Sequence, residues 1–172
     1  MRLSSSVNAS IATSLATGTI LNDDDPTVSI ASQVLAEGNP PLTSPILSTD
    51  AQNLSSPIER TFTISLSGPT TRTVTLTLET RDGTANGGSV CRQFRTGPNG
   101  TLLTTLPAIL KDYLSLPSQQ LTIPAGRTSA TIVVSTCRDF RTEENESFQI
   151  VLTAATNAVI GNSATCTLNN DD

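Results

Sequence analysis

The sequence has 172 residues and a net charge of −5, with 15% charged residues and only four Phe, one Tyr and no Trp. The negative charge argues against binding to a nucleic-acid backbone, and so few aromatic residues argue against stacking on bases. The absence of histidine from the sequence excludes a Ser-His-Asp triad and most zinc sites, and no apolar run is long enough to predict a membrane span.

Residues 1–25 are predicted to belong to a preceding module. Their beginning lacks the apolar region of a signal peptide, so we expect the chain to be a piece of a longer secreted protein. The stretch from Asn8 to Asp25 is rich in Thr and Ala, and residues 157–172 repeat its pattern and its acidic ending. The repeat indicates that residues 1–25 are the last strand or hairpin of another copy, whereas residues 26–172 form the main domain. An isolated strand is unstable, so it is expected to complete a neighbour's sheet or to fold back on this domain.

The main domain begins with a strand over residues 27–36. After a loop at 39–57 that is rich in Pro and Ser, two strands with clear alternation cover residues 58–67 and 73–80. Thr and Ser at every second position predict a polar outer face. The alternate apolar side chains are expected to face one core: Phe62, Ile64, Leu66, Val74, Leu76 and Leu78.

The second half of the domain adds four strands after a second long insertion. The insertion covers residues 90–111, and its apolar part fits either a short helix or a short strand. The strands are expected near residues 112–124, 127–137, 146–153 and 163–169. The spacing of the turns and the lack of a long helical period predict an all-β fold. We expect a seven-stranded antiparallel immunoglobulin-like sandwich with two long loop insertions and an extra N-terminal strand.

The acidic residues are concentrated at one end of this predicted sandwich, which we call the acidic pole. Because neighbouring strands run in opposite directions, the pole collects the ends and loops that carry these residues: Glu37, Asp82, Asp112, Asp139, Glu143, Glu144, Glu146, Asp171 and Asp172. The opposite loops, at 68–72, 124–127 and 155–162, contain no Asp or Glu. Clustered carboxylates repel one another unless a cation lies among them, and hard oxygen ligands in flexible loops suit calcium. The alternative is a solvated, charged turn.

Six motifs at the strand ends resemble those of the Calx-β domain: Glu37-Gly38, Asp82-Gly-Thr-Ala85, Asp112-Tyr113, Leu121-Thr-Ile-Pro-Ala-Gly126, Glu143-Glu-Asn-Glu-Ser-Phe148 and Leu168-Asn-Asn-Asp-Asp172. That domain is the calcium-binding module of sodium–calcium exchangers, integrin β4 and many large bacterial surface proteins. The resemblance covers residues 26–172, with both insertions as departures, and residues 1–25 look like the tail of another copy.

The resemblance implies calcium (Ca2+) ligands at seven positions: Glu37, Asp112, Asp139, Glu143, Glu146, Asp171 and Asp172. Asp82 is left out, because the aspartate of Asp-Gly-Thr-Ala is more often a turn former in this family. Arg138 directly precedes Asp139, and Asn170 replaces the first of three terminal acids; both departures from the family weaken the site. We therefore expect one or two ions, bound in the weak range of extracellular modules. The alternative is that Arg138 or Arg141 forms salt bridges with the acids and abolishes binding.

Two of the three cysteines fall at the acidic pole. Cys91 follows the third predicted strand and Cys137 ends the fifth. A Cys91–Cys137 disulfide would fix the insertion 90–111 to the metal end and implies an oxidising compartment, whereas two reduced thiols are the alternative. Cys166 alternates with apolar neighbours and is expected to be a small core residue.

The sequence supports two functions and argues against a third. The first is a calcium-binding structural or adhesion module of an extracellular, repeat-type cell-surface protein, with neighbouring Calx-β-like modules as partners. The second is a structural subunit of a surface filament or fibre, assembled from identical subunits by strand exchange through residues 1–25, with calcium incidental. An enzyme is not expected. The carboxylates could mimic a glycoside-hydrolase pair, but aromatic residues that would hold a sugar are nearly absent.

Overall fold

The computed structural model describes residues 4, 7–13, 15–18, 24–38, 57–93, 109–138 and 142–171. Within these ranges the regular secondary structure consists of β-strands. Their bounds are β1 (Thr27–Ile30), β2 (Gln33–Ala36), β3 (Ile58–Leu66), β4 (Val74–Asp82), β5 (Gly87–Gly88), β6 (Arg92–Gln93), β7 (Ile109–Leu110), β8 (Tyr113–Leu114), β9 (Gln119–Ile123), β10 (Ser129–Thr136), β11 (Glu146–Thr156), β12 (Val159–Ile160) and β13 (Ala164–Asn169). The described residues include no helix of the length and apolarity needed to cross a membrane.

The strands form two facing sheets around one core. The first sheet has the order β12-β1-β3-β10-β8-β5, and the second has the order β2-β13-β11-β4-β9. Antiparallel pairing dominates both sheets, whereas β12 with β1, β2 with β13 and β5 with β8 are parallel pairs at the sheet edges. The expected all-β sandwich is confirmed, and each sheet contributes one apolar face to the core.

The core is built from the inward positions of these strands. The six apolar side chains expected from alternation are all buried: Phe62, Ile64, Leu66, Val74, Leu76 and Leu78. Between them in β3, Thr61, Thr63 and Ser65 are exposed, as a polar outer face requires. Cys166 is a free and buried thiol, in agreement with its expected place in the core.

Two stretches predicted as single strands are each divided between the two sheets. Residues 27–36 form β1 in the first sheet and β2 in the second, and residues 112–124 form β8 and β9 in the same way. The chain leaves β1 near Ser32, whose hydroxyl accepts a hydrogen bond from the N–H of Thr165 in the second sheet (3.0 Å). Pro117 lies between β8 and β9 and lacks the N–H that a continuous ladder would need. Each crossing ties the two sheets together.

The strand directions bring the predicted acidic pole together. Strands β2, β4, β10 and β13 end at this pole, and β3, β8 and β11 begin there. At the opposite pole, Arg72 in the turn between β3 and β4 forms a salt bridge with Asp25. Asp25 directly precedes Pro26 and β1. This ion pair therefore fixes the segment that leads into β1 to the turn between β3 and β4, at the end of the sandwich remote from the acidic pole.

The buried thiol of Cys166 predicts a loss of stability at alkaline pH. Burial raises the pKa of this thiol from 9.0 to about 11. The folded state therefore keeps a proton that the unfolded state loses above pH 9, so stability is present below that pH and falls as the pH rises towards 11. We expect this group to account for a loss of about 2 kcal/mol by the upper end of that window.

Urea denaturation of the wild type and of Cys166→Ala across this pH range measures the loss. The wild type should lose about 2 kcal/mol more stability than the variant. Equal losses in the two proteins would mean that other groups cause the alkaline destabilisation.

Candidate metal centre

Three carboxylates converge at the acidic pole. Asp112 directly precedes β8, Glu143 lies in the loop before β11, and Glu146 is the first residue of β11. One carboxylate oxygen from each of the three lies within 4.8 Å of the other two. Asp112 is buried, with 8% of its surface exposed, whereas Glu143 and Glu146 are partly exposed. We call this group the three-carboxylate set; it can offer oxygen ligands to a single cation that has access from solvent.

Backbone contacts orient the Asp112 carboxylate. The N–H of Asn86 donates a hydrogen bond to Asp112 Oδ2 (2.6 Å), and the N–H of Asp112 donates to the carbonyl of Asn86 (3.1 Å). The carbonyl of Asp112 accepts a hydrogen bond from the N–H of Cys137, just after β10 (2.8 Å). Asp112 is therefore held by segments on both sides, and its carboxylate does not depend on a cation for its orientation.

The two glutamates are held by contacts around the start of β11. The N–H of Ser147 donates to Thr84 Oγ1 (2.9 Å), and the carbonyl of Ser147 accepts from the N–H of Ala85 (2.9 Å), which joins β11 to the turn after β4. The side-chain amide of Asn170 donates to the carbonyl of Glu143 (2.9 Å). The loop that carries Glu143 is thereby tied to the segment after β13.

Glu37 and Asp171 lie at the same pole but outside the three-carboxylate set. The N–H of Gly38 donates to Asp171 Oδ1 (2.9 Å), and the N–H of buried Glu37 donates to the carbonyl of Asn169 (2.9 Å). Gly38 has a φ of 87°, and a Cβ at this position would lie 2.9 Å from Ile58 Cδ1. The turn after β2 therefore needs glycine, and Asp171 helps to hold that turn.

Three residues of the predicted site lie outside the described part of the chain: the predicted ligands Asp139 and Asp172, and Arg141. Arg138 is described, and it lies beside the turn after β2. Its Cγ and Cδ atoms are 3.7 Å from the position that a Cβ on Gly38 would take.

A layer that joins exposed Asp82 to the buried rings of Tyr113 and Phe148 lies next to the three-carboxylate set. Asp82, the predicted turn former, accepts hydrogen bonds from the N–H of Gly87 (2.9 Å) and from the hydroxyl of Tyr113 (2.5 Å). Burial, together with the hydrogen bond to Asp82, raises the pKa of Tyr113 far above its ordinary value, so the hydroxyl stays protonated and donates. The ring of Tyr113 stacks on Phe148, with centroids 4.1 Å apart. Because Tyr113 directly follows Asp112, this layer connects a site carboxylate to the core.

The disulfide expected between Cys91 and Cys137 is present at the acidic pole, with 5.4 Å between the two Cα atoms. It bridges a sequence separation of 46 residues, and a tie of that length stabilises a fold by about 4 kcal/mol in the chain-entropy account. Next to Cys91, β6 pairs with β7 at the base of the insertion, so the end of its apolar part is a short strand. Residues 94–108 of the insertion lie outside the described ranges.

The three-carboxylate set fits calcium. Calcium binds oxygens at about 2.3–2.6 Å, so two ligands of one ion lie no more than about 5 Å apart, in agreement with the observed spacing. Without a cation, two charges at that separation repel by about 3 kcal/mol at an effective dielectric constant of about 20, and solvent screening reduces this for the exposed glutamates. An ion held by these carboxylates would remove the repulsion, while backbone carbonyls and water complete its shell.

The chain belongs to the Calx-beta family. The profile of the Calx-beta domain matches residues 53–93 and 110–172, which include all of the three-carboxylate set. The unmatched residues between these ranges fall in the second insertion. No curated protein matches the sequence.

Two solved structures have a similar fold. One is the apo form of the Calx CBD1 domain, with a TM-score of 0.55 and 16% identity over 87% of this chain and 100% of that chain. The other is CBD12 from CALX1.2, with a TM-score of 0.52 and 16% identity over 85% of this chain. This chain spans 44% of the CBD12 chain. At such low identity the likeness establishes the sandwich fold.

Calx-beta domains are non-catalytic binding or regulatory modules, and calcium is the ion that the family binds. Membership therefore places this chain among calcium-binding modules and not among enzymes. The three-carboxylate set is consistent with that class.

Two residues at the site have contacts that were not expected from the sequence. Asn170 is predicted only as a lost ligand, yet its side chain donates to the carbonyl of Glu143 and its N–H donates to Asn145 Oδ1 (3.2 Å). A carboxylate at this position could not donate the first of these hydrogen bonds, so asparagine positions the loop. The second residue is Asn86, whose N–H orients Asp112. This is a backbone contact, and therefore no side-chain pattern could have indicated it.

Proposed function

We propose that this chain binds calcium and that Asp112, Glu143 and Glu146 are the central ligands. The observation that carries the proposal is the convergence of these three carboxylates within 4.8 Å, an arrangement that is unfavourable for like charges alone. Buried Asp112 supplies an oriented ligand, and the two partly exposed glutamates leave the ion accessible. The remaining predicted ligands would complete the site or a second one nearby: Glu37, Asp139, Asp171 and Asp172.

The ion would stiffen one end of the sandwich. The three ligands belong to the segment before β8 and to the segment around the start of β11, which lie in different sheets. A shared ion therefore ties the two sheets together at the acidic pole. In the absence of calcium, repulsion among the carboxylates loosens the same end.

The setting that we propose for this module is a repeat-type protein on the cell surface or outside the cell, where it has a structural or adhesion role. The Cys91–Cys137 disulfide supports an oxidising compartment. The sequence repeat between residues 1–25 and 157–172 supports a neighbouring copy, whose last strand residues 1–25 would be. In this arrangement residues 26–172 form one module, and its neighbours are its partners.

Strand exchange is the second candidate, and the same sequence repeat favours it. Residues 1–25 resemble the segment that contains β13, so they could occupy the place of that strand in an identical subunit and build a filament. Sedimentation of the full chain and of a chain that starts at Pro26 distinguishes the two arrangements. Strand exchange predicts concentration-dependent assembly of the full chain alone, whereas equal behaviour of both chains rules it out.

Calorimetric melting with calcium, with a chelator and with magnesium tests calcium binding. At about 10 mM calcium, an ion with a Kd of about 10⁻³–10⁻⁴ M stabilises the folded state by about 1.4–2.7 kcal/mol. For a domain of this size that is a rise of about 3–10 °C in Tm. Magnesium should give a smaller rise, because it demands octahedral geometry and keeps much of its water. The same Tm in calcium and in chelator would refute the proposal.

A further inference from the structure

We infer that the Cys91–Cys137 disulfide positions Asp112 for the cation, so that the calcium affinity of the site depends on this bond. The inference rests on the proposed function, because it concerns the same three-carboxylate set. It goes further in one respect: the disulfide acts on one particular ligand, in addition to the stability that it gives to the whole fold.

Each half of the disulfide contacts the backbone at the ligand. The N–H of Cys137 donates to the carbonyl of Asp112 (2.8 Å), and the carbonyl of Cys91 accepts from the N–H of Lys111 (2.8 Å). Two consecutive residues, Lys111 and Asp112, are therefore bound one to each cysteine. Both cysteines are buried, so this arrangement is part of the packed end of the sandwich. A displacement of either cysteine moves the backbone that carries the carboxylate.

The other elements that hold this backbone are short strands. Strand β8 has two residues; it pairs with β10 at Tyr113 and Thr136 and with the two residues of β5. The chain reaches Asp112 from the insertion, whose described base is the two-residue pair of β6 and β7. Among the described residues, the disulfide is the covalent tie between this base and β10. Without it, Asp112 is held by its hydrogen bonds to Asn86 and Cys137 and by very short neighbouring strands, and a segment held in this way opens locally at low free energy.

Reduction opens this tie without changing the ligands. A dithiol reductant supplies two electrons and two protons, the S–S bond breaks to give two thiols, and the reductant becomes a disulfide. The carboxylates keep their charge and their place in the sequence. An effect of reduction on calcium affinity therefore reports a change in the position or mobility of Asp112.

The test is a calcium titration of the oxidised full chain and of the same chain after reduction with dithiothreitol. We expect the Kd for calcium to rise by about tenfold or more on reduction, the effect found when a group that orients a metal ligand is lost. The variant Cys91→Ala/Cys137→Ala should bind calcium as weakly as the reduced wild type and should not respond to the reductant. Cys166→Ala is the matched control: it lacks the free thiol and should respond as the wild type does.

Amide hydrogen exchange in chelator distinguishes positioning from general stabilisation and needs no metal. Reduction should accelerate exchange of the N–H groups of Asn86 and Cys137, which donate to Asp112. The factor of acceleration at these two residues should be about ten times the factor at Val134 in β10. An equal factor at all three residues overturns the inference. An unchanged Kd on reduction, or a reduced chain without cooperative melting, also overturns it. If the oxidised wild type binds no calcium, the proposed function fails. The exchange pattern then still decides whether the disulfide positions Asp112.

Discussion

Replacing Phe148 by alanine is expected to lower the free energy of unfolding by about 3–5 kcal/mol. Phe148 is fully buried in β11 and stacks on Tyr113, so the substitution leaves a cavity between the two sheets and removes the aromatic pair. For a domain of this size, the corresponding fall in Tm is about 6–20 °C. Urea denaturation and calorimetric melting in the presence of chelator measure the change without a contribution from calcium.

Gln149→Ala is the matched control for this substitution. Gln149 lies next to Phe148 in β11, but its side chain is on the exposed face of the sheet. Its loss should change stability by no more than about 0.5 kcal/mol. If Phe148→Ala and Gln149→Ala cost the same, the assignment of the inner and outer faces of β11 is wrong.

Replacing Asp112 by asparagine is expected to abolish the stabilisation by calcium. The asparagine side chain keeps a carbonyl oxygen that can accept the N–H of Asn86, so the local backbone is preserved while one of three charges is lost. We expect the calcium-dependent gain of about 1.4–2.7 kcal/mol to fall to near zero. In chelator, the variant should melt at or above the Tm of the wild type, because two of the three repulsive pairs are removed. The loss of stabilisation by calcium, together with an unchanged or higher Tm in chelator, would not result from damage to the fold.

Glu79→Gln serves as the control for the loss of one acidic charge. Glu79 lies in β4 and forms an ion pair with Arg81 (2.8 Å), away from the three-carboxylate set. This variant should keep the full shift in Tm with calcium. A full shift in Asp112→Asn as well would show that calcium binds elsewhere on the chain.

Alternation determines much of this fold, and it could be read from the sequence. From Phe62 to Leu66 in β3 and from Val74 to Leu78 in β4 the apolar residues occur at every second position, and each of them is buried in the structure. The division of residues 27–36 and 112–124 between two sheets could not be read in the same way. It depends on contacts with distant strands, such as the hydrogen bond from Thr165 to Ser32, and alternation within a single stretch contains no information about them.

The strand directions predict the general position of the site, but they do not predict which carboxylates come together in it. Opposite directions of neighbouring strands placed the acidic strand ends at one pole. Loop contacts decide which of these acids come together. The N–H of Asn86 donates to Asp112, the N–H of Gly38 donates to Asp171, and the side chain of Asn170 donates to the carbonyl of Glu143. Loop conformations of this kind have no periodic signature in a sequence.

Isothermal titration of the oxidised chain with calcium decides whether the three-carboxylate set is a calcium site. We expect saturable binding of one or two ions with a Kd of about 10⁻³–10⁻⁴ M, and its loss in Asp112→Asn. An absence of saturable binding up to about 10 mM calcium would mean that the chain has no calcium site, since even the weak extracellular modules bind in that range. The three-carboxylate set would then be a solvated acidic surface on a Calx-beta sandwich.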